Sequence, residues 1–264
     1  MATGHARVGA VGHTPYYAGS DIGNNNVGFR NSIYRGKYLG NQLTAAQSAQ
    51  ILAGTFDDLF VGDYWTINGV NWRIAALDWY YRTGDTDLQT HHVVVVPDAS
   101  LESSKWNDTN NTVTGGPSGG AGYVGSLIRS NIKASGNAES KVIAAFGSGH
   151  VLSYRQLYPT TYNSSGEVTG WAWTDAKVEL MNETLVYGHQ VWGANPYEDG
   201  IDKCQLPLFR MNPQLVNIRA HWWLRSVDSA TNACNVNNNG NANNNGASNS
   251  NGVRPISARR AGLE

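Results

Sequence analysis

The sequence predicts an α+β fold built from short antiparallel strands, a few helices and much ordered loop. Its composition combines 30 Gly, nine Trp and thirteen Tyr with only 15% charged residues, which suits short strands and ordered loops better than a helical bundle. An Asn-Gly pair between two apolar segments indicates a β-hairpin. Helical and strand segments do not alternate as in βαβ units, so we expect no parallel doubly wound sheet.

The first predicted elements are a helix, a hairpin and a buried strand. Thr44 is placed to cap a helix over Ala45–Ala53, and Gly54 to end it. Asn68-Gly69 is the dipeptide that a type I′ turn prefers, so residues 64–67 and 70–74 should pair. Residues 91–97 carry four consecutive valines before a proline, which predicts a strand that is buried on both faces.

The rest of the chain is predicted to alternate between short helices and strands, with a Gly/Asn/Thr loop over 109–122. Helices are expected at 123–134, at 138–146 behind the cap residue Asn137, and at the end of 178–187. Strands are expected at 207–209 and 222–225, and they lead into final Asn-rich hairpins.

Catalytic and metal-binding patterns are not found in the sequence. His91 and His92 are neighbours on a strand, so their side chains should point to opposite faces and not chelate one ion. The Gly-rich stretch 119–122 lacks the preceding apolar strand and the following Lys-Ser/Thr of a phosphate loop. The aromatic clusters 79–81 and 171–173 could stack on sugars, but packing in the core is the favoured interpretation. We therefore expect no catalytic residues, metal or cofactor.

Charge, cysteines and hydropathy exclude several classes of partner. The net charge of −1 gives no electrostatic reason to expect nucleic acid or an anionic membrane. No segment approaches the roughly 20 apolar residues of a membrane-spanning helix, and residues 1–17 show no export signal or lipid-anchor cysteine. Cys204 and Cys234 lie in no paired-cysteine motif, so two buried thiols are favoured over a disulfide, with the pairing left open.

The most informative segment lies between Asn232 and Asn251, where eleven of twenty residues are Asn. Each Asn offers one acceptor and two donors on a short uncharged stem, which favours an adaptable contact surface over proton transfer. The paired tryptophans before the tract and the Val253-Arg254-Pro255 turn after it are typical of packed structure. These flanks favour a folded surface over a disordered polar tail. The predicted ligand contacts are Asn232, Asn235, Asn237, Asn238, Asn239, Asn241, Asn243, Asn244, Asn245, Asn249 and Asn251. The predicted scaffold of this surface is Trp222, Trp223, Arg225 and Arg254.

The frame of the tract carries a family resemblance. Trp222-Trp223-Leu224-Arg225-Ser226, then the Asn stretch, then Asn251-Gly252-Val253-Arg254-Pro255 resembles the variable region of diversity-generating retroelement target proteins. Those proteins have a C-type lectin-like fold related to that of the formylglycine-generating enzyme. Residues 31–40, 62–65 and 178–181 look like tail-associated proteins from prophages of gut bacteria. The resemblance implies an attachment arm over 1–43, a lectin-like ligand-binding domain over 44–258 with a variable region at about 221–255, and a tail over 259–264.

The function implied by the resemblance is non-enzymatic recognition of a host-surface protein or glycan by a phage tail-fibre protein. In such systems reverse transcription miscopies adenines, and Asn marks the targets because its codons begin with two adenines. A virion-tail location and a homotrimer are compatible with this resemblance, whereas nucleic-acid binding, membrane insertion and a calcium-dependent sugar site are not implied. The alternatives are a bacterial surface adhesin of the same fold and a formylglycine-generating-type enzyme, for which Cys234 inside the tract is a poor catalyst.

Overall fold

The computed structural model describes residues 27–193 and 198–262, which form a mixed α and β structure with mostly antiparallel sheets. The helices are α1 (Val27–Arg30), α2 (Ala45–Ala53), α3 (Gly122–Gly125), α4 (Leu127–Lys133), α5 (Ala138–Phe146), α6 (Glu183–Tyr187) and α7 (Pro207–Met211). The strands are β1 (Tyr64–Ile67), β2 (Val70–Leu77), β3 (His92–Pro97), β4 (Glu102–Lys105), β5 (Tyr154–Tyr162), β6 (Val168–Ala176), β7 (Val178–Leu180), β8 (Trp222–Val227), β9 (Asn232–Val236), β10 (Ala242–Gly246), β11 (Ser250–Val253) and β12 (Pro255–Arg260).

Two five-stranded sheets and one separate hairpin organise the described chain. The first sheet has the order β1-β2-β3-β12-β7, the second has the order β10-β9-β8-β11-β4, and β5 pairs with β6. Every residue of β3 is buried, as its valines predicted. The C-terminal strand β12 lies in the first sheet between β3 and β7. The preceding strand β11, which is separated from β12 by one residue, belongs to the second sheet. The segment from β11 to β12 therefore joins the two sheets.

The two strongest local predictions are confirmed. Thr44 and Gln47 form a reciprocal capping box at the start of α2, and Gly54 ends that helix at φ 67°. Asn68 and Gly69 take positive φ angles of 52° and 76°, and Trp65 pairs with Trp72 across the hairpin. Only short-range chemistry is needed for either element, because a cap or a type I′ turn depends on a few neighbouring residues.

Several other elements differ from prediction. The helix expected at 123–134 is broken at Ser126, whose extended backbone ends α3 and whose hydroxyl caps α4. The strand expected at 207–209 is helix α7, which begins with Pro207, a residue suited to the first helical turn. Asn137 stands before α5, but its side chain donates to the Asn131 carbonyl instead of capping the helix. The β5–β6 hairpin was not predicted.

The predicted domain limits are too narrow at both ends. Residues 1–26, which include the segment searched for an export signal, lie outside the described residues, but the rest of the predicted arm packs onto the domain. Leu39 and Leu43 are buried, and Arg35 pairs with the fully buried Asp63 at 2.6 Å. At the other end, Arg259 of the predicted tail is buried within β12. Residue 44 is thus not a structural boundary, and the domain continues beyond residue 258.

Across the described ranges, no helix is both long enough and apolar enough to span a membrane.

Candidate functional site

The Asn-rich tract supplies three of the five strands of the second sheet, β9, β10 and β11. It begins with β9, turns at 237–241 into the edge strand β10, and returns through β11 between β8 and β4. The register pairs Asn243 with Asn235 and Asn244 with Cys234. The tract is therefore ordered sheet and tight turn, as its frame predicted.

The paired tryptophans support this sheet from β8. Trp222 and Trp223 are both fully buried. Their indole N–H groups donate to the carbonyls of Val216, at 3.2 Å, and Ser104, at 2.9 Å. Each ring is buried and its one polar atom is hydrogen-bonded, so these side chains form a rigid core against which the strands of the tract pack.

Arg225 of the second sheet forms a buried ion pair and also a hydrogen bond to the first sheet. Its guanidinium lies 2.9 Å from Asp202, which is fully buried, and it also donates to the Leu180 carbonyl of β7. Burial raises the pKa of Asp202, although the charge of Arg225 opposes that shift. Burial opposes the charged form of Arg225 as well, but Asp202 and the surrounding tyrosines together outweigh it, so the pKa of Arg225 is raised.

Arg254 is the single residue between β11 of the second sheet and β12 of the first. It is 1% exposed, donates to the carbonyls of Pro97 and Leu215 at 2.8 and 2.9 Å, and lies over the Trp222 ring at 5.1 Å. Burial lowers its pKa to about 10. All four predicted scaffold residues are thus buried around the base of the tract.

Nine of the eleven predicted Asn contacts have side chains at least partly open to solvent. The exposed ones are Asn238, Asn239, Asn241 and Asn249, and the half-buried ones are Asn232, Asn237, Asn243, Asn244 and Asn245. Some of these amides bond to one another: Asn232 donates to Asn244 at 3.0 Å, and Asn249 donates to Asn245 at 3.1 Å. An amide used once in this way still has further donor and acceptor positions for a ligand.

Two predicted contacts require correction. Asn235 is fully buried on the inner strand β9, where its amide lies 3.4 Å from the His221 ring. Asn251 is 8% exposed on β11, which has a neighbouring strand on each side. Both side chains belong to the interior of the sheet, so a ligand at the surface does not reach them.

A loop outside the tract adds an exposed aromatic side chain to this surface. Trp192 is 44% exposed, and its indole N–H donates to the Ala242 carbonyl of β10 at 3.2 Å. Tyr187 donates to the Gly240 carbonyl in the turn at 3.1 Å. Sequence reasoning missed both residues, because no local pattern shows that they meet a strand fifty residues later.

Acidic side chains are buried behind this loop. Glu198 is 3% exposed; one carboxylate oxygen accepts from the Val227 N–H at 2.7 Å, and the other has no hydrogen-bond partner among the described residues. Burial raises the pKa of Glu198 to about 8. Burial also raises the pKa of the Cys234 thiol well above its usual range, which disfavours the reactive thiolate.

Other candidate residues lie away from the tract. His92 is buried, whereas His91 is partly exposed and paired with Asp78 at 2.6 Å. Trp171 and Trp173 are 40% and 37% exposed on β6, so the prediction that they pack in the core is wrong.

Both cysteines are free, and Cys204 is exposed where a buried thiol was expected. Within residues 27–193 and 198–262, no group of three or more His, Cys, Asp or Glu side chains is placed to hold a metal ion.

Comparison with known proteins gives one match, to part of the chain. A family model described as a domain of unknown function (DUF6273) matches residues 183–257, from α6 into β12. This match includes the loop at Trp192, both paired tryptophans and the whole Asn tract. No curated protein and no solved structure matches the chain.

Proposed function

We propose that this chain is a non-enzymatic ligand-binding protein whose contact surface is the Asn-rich edge of the second sheet. The observation that carries the proposal is the concentration of nine exposed or half-buried uncharged amides, eight on the edge strand β10 and its turns and one, Asn232, at the start of the neighbouring β9. Buried scaffold residues surround them, so the backbone is fixed while the side chains remain available. Such a surface suits recognition through many adaptable hydrogen bonds.

The proposed fold is C-type lectin-like, and the proposed source of variation is a diversity-generating retroelement. Positions with adenine-poor codons are those where the backbone needs a particular residue. A side chain at Gly252 would begin 2.1 Å from the Ser100 hydroxyl, and Gly240 has φ 87° in the turn. Val253 and Pro255 are buried. Apart from the buried Asn235 and Asn251, the Asn positions are accessible and the constrained positions have adenine-poor codons, which is the separation that adenine mutagenesis requires.

A phage tail-fibre or receptor-binding protein is the setting we propose for this surface. Several copies on one virion would bind a host-surface ligand together, so a modest affinity at each site would suffice. A bacterial surface adhesin of the same fold would use the same contacts. An enzyme of the formylglycine-generating type is disfavoured, because Cys234 is buried as a thiol and Cys204 is exposed in a different segment.

The genomic test is to sequence the DNA next to this gene. We expect a near-repeat of the codons for residues 221–255 that differs almost only at adenines, beside a reverse transcriptase gene. If the repeat is absent, retroelement diversification is refuted and the surface has one fixed specificity.

The binding surface itself is tested with a display library in which the eleven Asn codons are randomised at their adenines. Clones that fold and bind bacterial cell surfaces should vary freely at positions such as Asn238, Asn239 and Asn241, and should retain Asn235 and Asn251. A library randomised at the exposed hairpin residues Thr169, Trp171 and Trp173 serves as the control. If the control library yields binders as readily as the Asn library, the Asn edge is not a specialised surface.

A further inference from the structure

We propose that Trp192 is a fixed contact of this binding surface, that the buried Glu183 positions it, and that the ligand is an uncharged sugar. The inference rests on the proposed function, because it assigns an anchor and a ligand chemistry to the same surface. Trp192 lies outside the Asn tract and therefore would stay constant while the tract varies.

Glu183 holds the loop that carries Trp192. Its side chain is fully buried at the start of α6. The carboxylate accepts the backbone N–H groups of Val191 at 2.9 Å, Trp192 at 3.0 Å and Gly193 at 2.8 Å. Hydrogen bonds to an ionised group are about twice as strong as neutral ones. Three of them on consecutive residues fix the backbone from which the indole projects.

The indole is also fixed at its far end. Its N–H donates to the Ala242 carbonyl on the outer edge of β10, so the ring is tied to the strand that carries Asn243, Asn244 and Asn245. A rigid aromatic side chain that is still 44% exposed loses little conformational entropy when a ligand covers it. The arrangement is that of a preorganised contact beside variable ones.

The chemistry of the surface favours an uncharged, hydroxyl-rich ligand. From Thr231 to Val253 the chain contains no charged residue, and Asp228 and Lys105 lie only at its margins, next to Asn232 and Ser250. A charged ligand over the central amides would therefore lose water without gaining an opposite charge. Amides donate to and accept from hydroxyl groups, and an exposed indole packs against the apolar face of a sugar ring. Arg219 follows the loop residue Asn217 that packs on Gly240, so the test must also include acidic sugars.

The experiment uses an array of neutral, amino and acidic oligosaccharides, probed with the full chain displayed as a streptavidin tetramer to raise avidity. We expect the wild type to bind neutral sugars. Trp192→Ala should weaken that binding about tenfold, which corresponds to about 1.4 kcal/mol. The matched control is Trp173→Ala, which removes a similarly exposed indole from the separate β5–β6 hairpin and should leave binding unchanged.

The positioning role of Glu183 is tested by a double-mutant cycle. Glu183→Gln replaces an acceptor of three N–H groups with a side chain that also carries donors, so binding should fall. If Glu183 acts through the indole, adding this change to Trp192→Ala should cause little further loss. A purely structural role would lower binding additively. If Glu183→Gln does not fold, Trp192→Phe, which keeps a ring but loses the bond to Ala242, should bind between wild type and Trp192→Ala.

Three results would overturn the inference. Unchanged binding by Trp192→Ala would remove Trp192 from the surface, and additive losses in the cycle would remove the positioning role. Binding to acidic sugars alone, or to no sugar, would refute the ligand chemistry. Because the randomised Asn library is judged by cell binding and not by sugars, its success would leave the proposed function standing in each case.

Discussion

Glu198 provides a test of the buried environment behind the binding loop. Its carboxyl group is enclosed beside the loop, with one oxygen bonded to the Val227 N–H. Burial raises its pKa from 4.5 to about 8, and the carboxylates of Asp199 and Glu183 add to that shift. The folded protein therefore retains this proton up to about pH 8, whereas the unfolded chain releases it near pH 4.5. The free energy of unfolding consequently falls as pH rises between those two values.

The size of the effect follows from the pKa difference. A difference of about 3.5 pH units corresponds to about 5 kcal/mol at most, and about 2 kcal/mol of it falls between pH 6 and pH 8. Glu198→Gln removes the titration and keeps a carbonyl oxygen to accept from Val227. The melting temperature of this variant relative to the wild type should therefore rise by about 4–8 °C from pH 6 to pH 8.

The assay is thermal unfolding followed by circular dichroism at pH 6, 7 and 8. Glu167→Gln, at an exposed carboxylate in the β5–β6 turn, is the matched control. The melting temperature of this control should differ from that of the wild type by the same amount at each pH. A pH-independent difference for Glu198→Gln would show that this carboxyl group ionises in the folded protein much as it does in water, and would refute the enclosed environment.

Three further substitutions test the fold. Asn68→Val places a β-branched residue at φ 52° and should cost about 1–2 kcal/mol more in urea unfolding than Asn68→Gly, which loses the same side-chain bond to the Ala144 carbonyl without the backbone strain. Thr44→Ala removes the capping box and should cost about 1 kcal/mol, a loss that Thr44→Ser should avoid. Arg225→Met leaves Asp202 buried without its cation and should cost about 3–5 kcal/mol, with part recovered by adding Asp202→Asn. Equal stability of the single and double variants would contradict the buried ion pair.

Elements with a local chemical signature could be predicted from the sequence. The cap at Thr44, the Asn68-Gly69 turn and the valine strand each depend on residues within a few positions. The β5–β6 hairpin has no such signature, because Pro159 lies within β5 and proline argues against a strand. The register shifts between Pro159 and Thr161, and this irregularity accommodates the proline. Tertiary pairing therefore overrides the local preference.

The candidate site shows the same limit. The composition of the tract indicated an amide surface, but eleven identical residues cannot reveal which of them face inward. The folded sheet decides that: Asn235 of β9 is fully buried, whereas Asn232 on the same strand and Asn244 on the edge strand are half-buried. Trp192 was missed for a related reason: its importance depends on a contact with Ala242, which only the folded chain brings near.

The position of the amides within the sheet explains how a variable surface can coexist with a stable fold. The edge strand β10 pairs with β9 alone, so a new side chain there meets few neighbours, whereas β9 is held between β10 and β8. Random change at Asn235 would place a larger group against buried residues and would be rejected through instability. Asn243 and Asn245 are half-buried on this edge strand, so a change there disturbs fewer packed neighbours and would be judged mainly by binding. Buried and accessible Asn positions of the tract are therefore under different selection, and the burial of each side chain in the folded sheet predicts which applies.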